Sequence, residues 1–288
     1  MECDAGAGAG GGHLSIMGES PLELGGCRLF FLDGGSMQVR VPLARGLSLK
    51  LALRPVLVRA PWGTALLDCG PGEYDASSWR RYGVRAPLLP FPRQLERIGV
   101  RPEEVDLVFL SHLHFDHAGG LLRGGRLAFP RADHLLQEKE WHRARQRGGY
   151  GPLTGTLAGG RLRLLQGATE IVPGLEALPA PGHTEGHQVC RVGGSREEAW
   201  FLADLVPAAR SLALGPDRFS DRDPDLALEH RRRTVTGMVA RGALALFYHD
   251  PRQAWARLDW RIEGQAARAF AASREGAGIR RDGAAAGL

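Results

Sequence analysis

Cysteine and lysine are both scarce in this chain of 288 residues. The four cysteines, Cys3, Cys27, Cys69 and Cys190, are scattered and form no CxxC pair. They read as free thiols in a reducing compartment, not as a disulfide framework, and the cytoplasm is the default location. Only Lys50 and Lys139 are lysines, so the basic balance, a formal net charge of +5, is almost wholly arginine. No apolar run approaches the ~20 residues that would span a bilayer, so no membrane partner is expected. The opening residues lack a basic n-region and an apolar h-region, so no signal peptide is expected. No RNA-binding signature with interleaved aromatics is present. The one tight arginine cluster, Arg231-Arg232-Arg233, falls within an expected helix over 225–240. Successive residues on a helix face different directions, so the triplet makes a poor flat phosphate-binding patch. Nucleic acid is not expected as a partner.

What the chain does have is the run SHLHFDHAGG at 111–120, directly after the apolar strand pattern at 105–110. In an extended loop after a strand, side chains at i, i+2 and i+4 point the same way. His112, His114 and Asp116 therefore converge, and His117 adds a donor from the next turn. Imidazole nitrogen and carboxylate oxygen are the donors that hold zinc or a similar first-row ion. Three more places look alike. His183 follows the strand-like run 175–180, Asp204 follows 200–203, and His249 follows 243–248. Each lies at or just past the C-terminal end of a strand, where a rigid sheet can hold chemistry on its loops.

The ordered pattern of HxHxDH, a distant His, an Asp and a last His resembles the metallo-β-lactamase superfamily over roughly residues 28–262. That resemblance implies an α/β fold, an αβ/βα sandwich of two mixed β-sheets with helices on the outer faces. It implies two divalent metal ions, zinc before iron or manganese. His112, His114 and His183 would hold the first, and Asp116, His117 and His249 the second, with Asp204 bridging them. Asp68, at the end of the apolar run 64–67, resembles the carboxylate that orients a ligating imidazole from behind. His187, in PGHTEGHQ, is expected to pack or hydrogen-bond near the site without ligating. His13, His142 and His230 read as surface, and His134 as a partly buried structural residue.

The implied reaction is hydrolysis of an ester-like bond by a hydroxide held between the metals, with Asp116 and Asp204 as the catalytic carboxylates. None of the cysteines stands at a metal position, which argues against the antibiotic-hydrolysing members, where a Cys commonly takes the place of Asp204. PGHTEGHQ and LFYHDP look most similar to the lactonase-like branch, which includes N-acyl-homoserine lactonases and related phosphotriesterases. Many of those lactonases carry a substrate-contacting Tyr three residues after the bridging Asp; here that residue is Pro207. Tyr248 does not replace it, because strand alternation turns it away from the side that His249 faces. Two other readings stand beside the lactonase: a thioester hydrolase of the glyoxalase II kind, and a mononuclear iron persulfide dioxygenase. The partner is a small-molecule substrate, with oligomeric state left open.

The Gly- and Ala-rich segments 1–27 and 272–288 are expected to be disordered tails around one hydrolase domain over 28–271. Helices are expected over 94–98, near 119–122, and over 138–145, 225–240 and 252–257. The Gly-rich stretch 147–160 and part of 74–92 are expected to be irregular, either bordering the substrate or forming plain surface loops.

Overall fold

A computed structural model describes residues 21–40, 48–72, 76–87, 89–146, 150–194, 197–263 and 266–271. The described strands, in chain order, begin with the hairpin β1 (Leu22–Leu24) and β2 (Cys27–Phe31), then the separate pair β3 (Ser36–Arg40) and β4 (Ser48–Ala52). Next come β5 (Val56–Ala60), β6 (Gly63–Leu67), β7 (Leu107–Phe109), the small hairpin β8 (Leu122–Arg123) and β9 (Arg126–Leu127), β10 (Asp133–Gln137) and β11 (Leu162–Leu165). The last seven are β12 (Thr169–Val172), β13 (Leu175–Pro179), β14 (Gln188–Gly193), β15 (Glu198–Phe201), β16 (Leu244–Leu246), β17 (Trp255–Glu263) and β18 (Ala266–Ala271). The helices are α1 (Ala76–Arg81), α2 (Phe91–Ile98), α3 (Phe115–Ala118), α4 (Glu138–Gln146), α5 (Gly151–Ala158) and α6 (Pro224–Arg241).

Two seven-stranded sheets carry the fold, ordered β1-β2-β5-β6-β7-β10-β11 and β12-β13-β14-β15-β16-β17-β18. Both are mixed. β6, β7, β10 and β11 run parallel, as do β15 and β16, and the other pairs are antiparallel. Period-two alternation sends each strand's residues to two cores. Leu107 and Phe109 of β7 join Leu244 and Leu246 of β16 between the sheets. Val108 instead faces the helical layer with Leu95 and Trp141, and Ala245 faces Val235 and Met238 of α6. The result is the expected αβ/βα sandwich. No described helix is long and apolar enough to cross a membrane.

Three expectations are corrected. Residues 252–257 are not a helix: the Asp250 carboxylate accepts the backbone N–H groups of Arg252 and Gln253, closing a turn, and Trp255 then opens β17. The stretch 147–160 is not all irregular, because α5 forms within it. Pro152 sits in its first turn, and Leu153 and Leu157, four apart, are buried against the helical side of the first sheet. The expected tail 1–27 is too long at its inner end: Leu22–Leu24 pair with β2, and Leu24 and Cys27 are buried. Residues 1–20 and 272–288 lie outside the described residues.

The loop after β6 packs backbone to backbone against the segment after α3. A Cβ on Gly72 would collide with the Gly119 carbonyl. Gly72→Ala should therefore lower stability by about 1–3 kcal/mol, read as a lower melting temperature; an unchanged melting temperature would contradict this packing.

Candidate metal centre

The chain after β7 stays extended only to His114, which caps α3, and then turns into the helix at Phe115. The simple alternation expected for His112, His114 and Asp116 thus holds for the first two, and the helical turn delivers Asp116 and His117. From the same sheet, Asp68 follows β6. From the other sheet come His183 after β13, Asp204 after β15 and His249 after β16. Strand ends of both sheets meet at one edge, and seven donors converge there in two sets.

In the first set, His112 Nε2 lies 2.9 Å from His114 Nδ1, and His183 Nε2 lies 3.0 Å from His114 Nδ1 and 3.0 Å from Asp204 Oδ2. In the second, His117 Nε2 lies 3.3 Å from His249 Nε2, and Asp116 Oδ2 lies 3.7 and 3.5 Å from those nitrogens. Asp204 Oδ1 reaches the second set, 3.2 Å from both His117 Nε2 and His249 Nε2. Tetrahedral coordination at the usual zinc–nitrogen distance spaces donor atoms by about 3.3 Å. The spacing found here brackets that value.

The outward atoms of the rings are already engaged. His117 Nδ1–H donates to Asp68 Oδ2 at 2.7 Å, His249 Nδ1–H to the Ala52 carbonyl at 2.8 Å, and His183 Nδ1–H to Asp221 Oδ1 at 3.0 Å. His112 Nδ1–H donates to Ser111 Oγ at 3.0 Å, and that hydroxyl donates in turn to Asp68 Oδ2 at 2.7 Å. These bonds engage Nδ1 on four imidazoles and turn their Nε2 inward, where a cation can replace any proton held there. Asp204 Oδ1 is buried without a hydrogen-bond partner. Borderline-soft nitrogen donors, hard carboxylates and an orphaned bridging oxygen fit two divalent cations.

Protonation alone cannot satisfy this cluster. Burial and neighbouring imidazoles push His112 and His114 well below the usual imidazole range. Burial also opposes charge on His117, yet Asp204, Asp116 and Asp68 together hold it well above that range. The same contest carries His183 up to about 10, through Asp204 and Asp221. His187, outside both sets, is driven down to about 3 by burial and by His183. Its Nδ1–H donates to the Ala180 carbonyl, and its Nε2 accepts the Asp204 backbone N–H at 3.3 Å. It therefore supports Asp204, in keeping with the non-ligating role expected for it.

Other supports were not visible as such in the sequence. Glu140 of α4 accepts the backbone N–H of Leu113 at 3.1 Å and of Gly186 at 3.2 Å, clamping two donor loops together. Tyr248 is fully buried, stacked on His117, and donates to the Asp116 carbonyl at 2.5 Å. It braces the centre through the His117 ring and the Asp116 backbone. Asp68 and Ala203 hold positive φ, 54° and 44°, next to the donors they place. Non-glycine residues rarely accept that backbone, and such strain gathers at functional sites.

A pocket opens beside His183 and Asp204, lined also by Pro207, Leu214, Asp221 and Arg231. Arg231 stands apart from its two neighbours. It is buried, while Arg232 and Arg233 are exposed. It shares a helix face with Ala227, Val235 and Met238, a periodicity that marks it in hindsight. Asp221 offered no comparable signal within the polar run 220–223. His134 of β10 is fully buried, more so than the partly buried residue expected, and belongs to neither donor set, while His142 is exposed.

Residues 55–271 match the family model of the metallo-beta-lactamase superfamily. The chain is 26% identical over 243 residues to an N-acyl homoserine lactonase of Bacillus cereus, covering 78% of this chain and 94% of that one. It superposes with TM-score 0.65 and 26% identity on a solved N-acyl homoserine lactone hydrolase with the product N-hexanoyl-L-homoserine at its catalytic metal centre, covering 78% and 94% of the two chains. It superposes with TM-score 0.71 on AidC, a dizinc quorum-quenching lactonase, over 88% and 97% of the chains; at 20% identity that likeness shows the fold alone.

Cations must displace the protons that the carboxylates hold on His183 and His117. Zinc uptake at pH 7.5 should therefore release protons, and affinity should rise with pH until His183 loses its proton near 10. Calorimetry in buffers of different ionisation enthalpy checks this. A binding heat that does not depend on the buffer would contradict it.

Proposed function

The chain belongs to the metallo-beta-lactamase superfamily, and on that premise we propose that it is a lactonase holding two zinc ions, with 28–271 as its catalytic domain. The observation that carries this reading is the pair of donor sets, His112, His114 and His183 beside Asp116, His117 and His249, with one oxygen of Asp204 turned to each. Both the metal-dependent hydrolase class and the lactone substrate have support from the homoserine lactonases that the chain resembles. A mononuclear iron oxygenase would leave half of these donors idle. The buried, free Cys27, Cys69 and Cys190 suit a reducing cytoplasm.

His112, His114, His183 and Asp204 would hold one divalent cation and Asp116, His117 and His249 a second, and a bound pair would supply Lewis acidity toward a carbonyl oxygen and lower the pKa of water from ~16 to near 7. The chain's own residues supply position and proton transfer. Asp204 is anchored from behind by His187 and keeps the two donor sets in register. Asp116 is nearly buried, its backbone carbonyl fixed by Tyr248, and its carboxylate faces the shared centre. It is placed to take a proton from the attacking water and hand it to the alkoxide oxygen that leaves as the lactone ring opens. Water adds across the acyl C–O bond, giving a hydroxy acid. Pro207 lines the pocket and offers no hydroxyl, so the carbonyl is oriented without the phenol that many relatives use.

A panel of lactones, thioesters, aryl esters and phosphotriesters, offered to the zinc-loaded protein, tests the reading. Lactones should give the highest kcat/KM. Asp116→Asn should lower lactone kcat by ~10²–10⁴-fold. Thioesters as the preferred class, or wild-type turnover in the Asn variant, would overturn it.

A further inference from the structure

Behind His183 lies a second buried charge pair that belongs to neither donor set. The Asp221 side chain is 2% exposed. Its Oδ1 accepts from His183 Nδ1–H at 3.0 Å, and its Oδ2 is buried without a hydrogen-bond partner. The cation facing Oδ2 is Arg231, with Nη2 at 3.9 Å. Arg231 is itself fixed from two sides. Its Nε donates to the Leu205 carbonyl at 2.8 Å, and its Nη1 to the carbonyls of Ser211 and Gly215 at 3.3 and 3.4 Å. Leu205 directly follows Asp204. One guanidinium thus reaches both the loop of the bridging carboxylate and the carboxylate that orients His183.

Core packing gives no reason for a charge here. The residues that share its helix face, Ala227, Val235 and Met238, are apolar, and an apolar side chain at 231 would complete that face. Burying a guanidinium and a carboxylate carries a desolvation cost that is recovered only through their partners. Two of those partners adjoin the metal centre: Asp221 bonds His183, and Leu205 follows Asp204. The backbone repeats the connection: the Asp223 N–H donates to the Gly182 carbonyl at 2.9 Å, and Gly182 packs so closely on Ala227 that a Cβ would collide with it. The other donors depend on different supports. His117 leans on Asp68 and His249 on the Ala52 carbonyl.

We propose that Arg231 and Asp221 are positioning residues for the His112–His114–His183–Asp204 site. Arg231 holds Asp221 against His183 Nδ1 and ties the Asp204 loop to the same point, so the pair sets how tightly that one site grips its cation. This rests on the two-cation reading above; the Asp116–His117–His249 site shares Asp204 but has its own supports behind His117 and His249, so it should lose less.

The test titrates metal-depleted protein with zinc against a chromophoric chelator, and records the visible spectrum after cobalt loading. Wild type should take up two cations per chain; fewer would overturn the two-cation reading before any variant is compared. In Asp221→Asn and Arg231→Met, one binding constant should weaken 10–100-fold, the other should weaken clearly less, and the cobalt bands of one site should fade. Arg231→Lys keeps a cation in the core without the planar fork, so it serves should the methionine variant not fold, and its weaker site should lie between wild type and Arg231→Met. Arg232→Met, one residue away and exposed, should behave as wild type. Two wild-type constants in Asp221→Asn and Arg231→Lys would overturn the proposal, and so would equal weakening of both sites, which marks a general loosening of the fold.

Discussion

Seven nitrogen and oxygen donors are held in two sets, the atoms of each within 4.8 Å of one another and largely shut off from water. No distribution of protons satisfies them. Burial and crowding strip protons from His112 and His114, while the same carboxylates that need partners draw protons onto His117 and His183. Unpaired polar groups in a buried site are costly. The fold accepts further strain to keep them there, through left-handed backbone at Asp68 and Ala203 that costs roughly 1–2 kcal/mol per residue. Such an arrangement is reasonable only if something of positive charge relieves it.

The architecture explains how the donors come together. The first sheet supplies the loop after β7 and Asp68 after β6. The second supplies His183, Asp204 and His249. Neither sheet owns a complete site, so the centre exists only where the two edges meet. Cross-sheet bonds hold that meeting: Gln188 of β14 donates through Nε2 to the Leu110 carbonyl at 2.7 Å, and its N–H donates to the Ser111 carbonyl at 3.0 Å. Metal affinity and tertiary stability are therefore expected to move together.

The sequence was most legible where chemistry is dense and local. Four donors within six residues, behind an apolar strand, announce themselves, and the ends of three later apolar runs supply the rest. Legibility fails where a role depends on distant geometry. Asp221 looks like any carboxylate before a helix, and only the fold sets it behind His183. Arg231 carried a faint signal, an arginine at the spacing of Ala227, Val235 and Met238, that its two exposed neighbours masked. The strand β17 read as a helix because Asp250-Pro251 resembles a helix entry, whereas the Asp250 carboxylate closes a turn. α5 was hidden by its glycines, although Leu153 and Leu157 at helical spacing give it a buried face.

The most direct measurement is a crystal structure of the zinc-loaded protein with anomalous data collected on both sides of the zinc edge. Two anomalous peaks are predicted, one among His112, His114 and His183 and one among Asp116, His117 and His249, with one oxygen of Asp204 directed at each. A single peak, or zinc bound elsewhere with His183, Asp204 and His249 turned away from the loop after β7, would contradict the account.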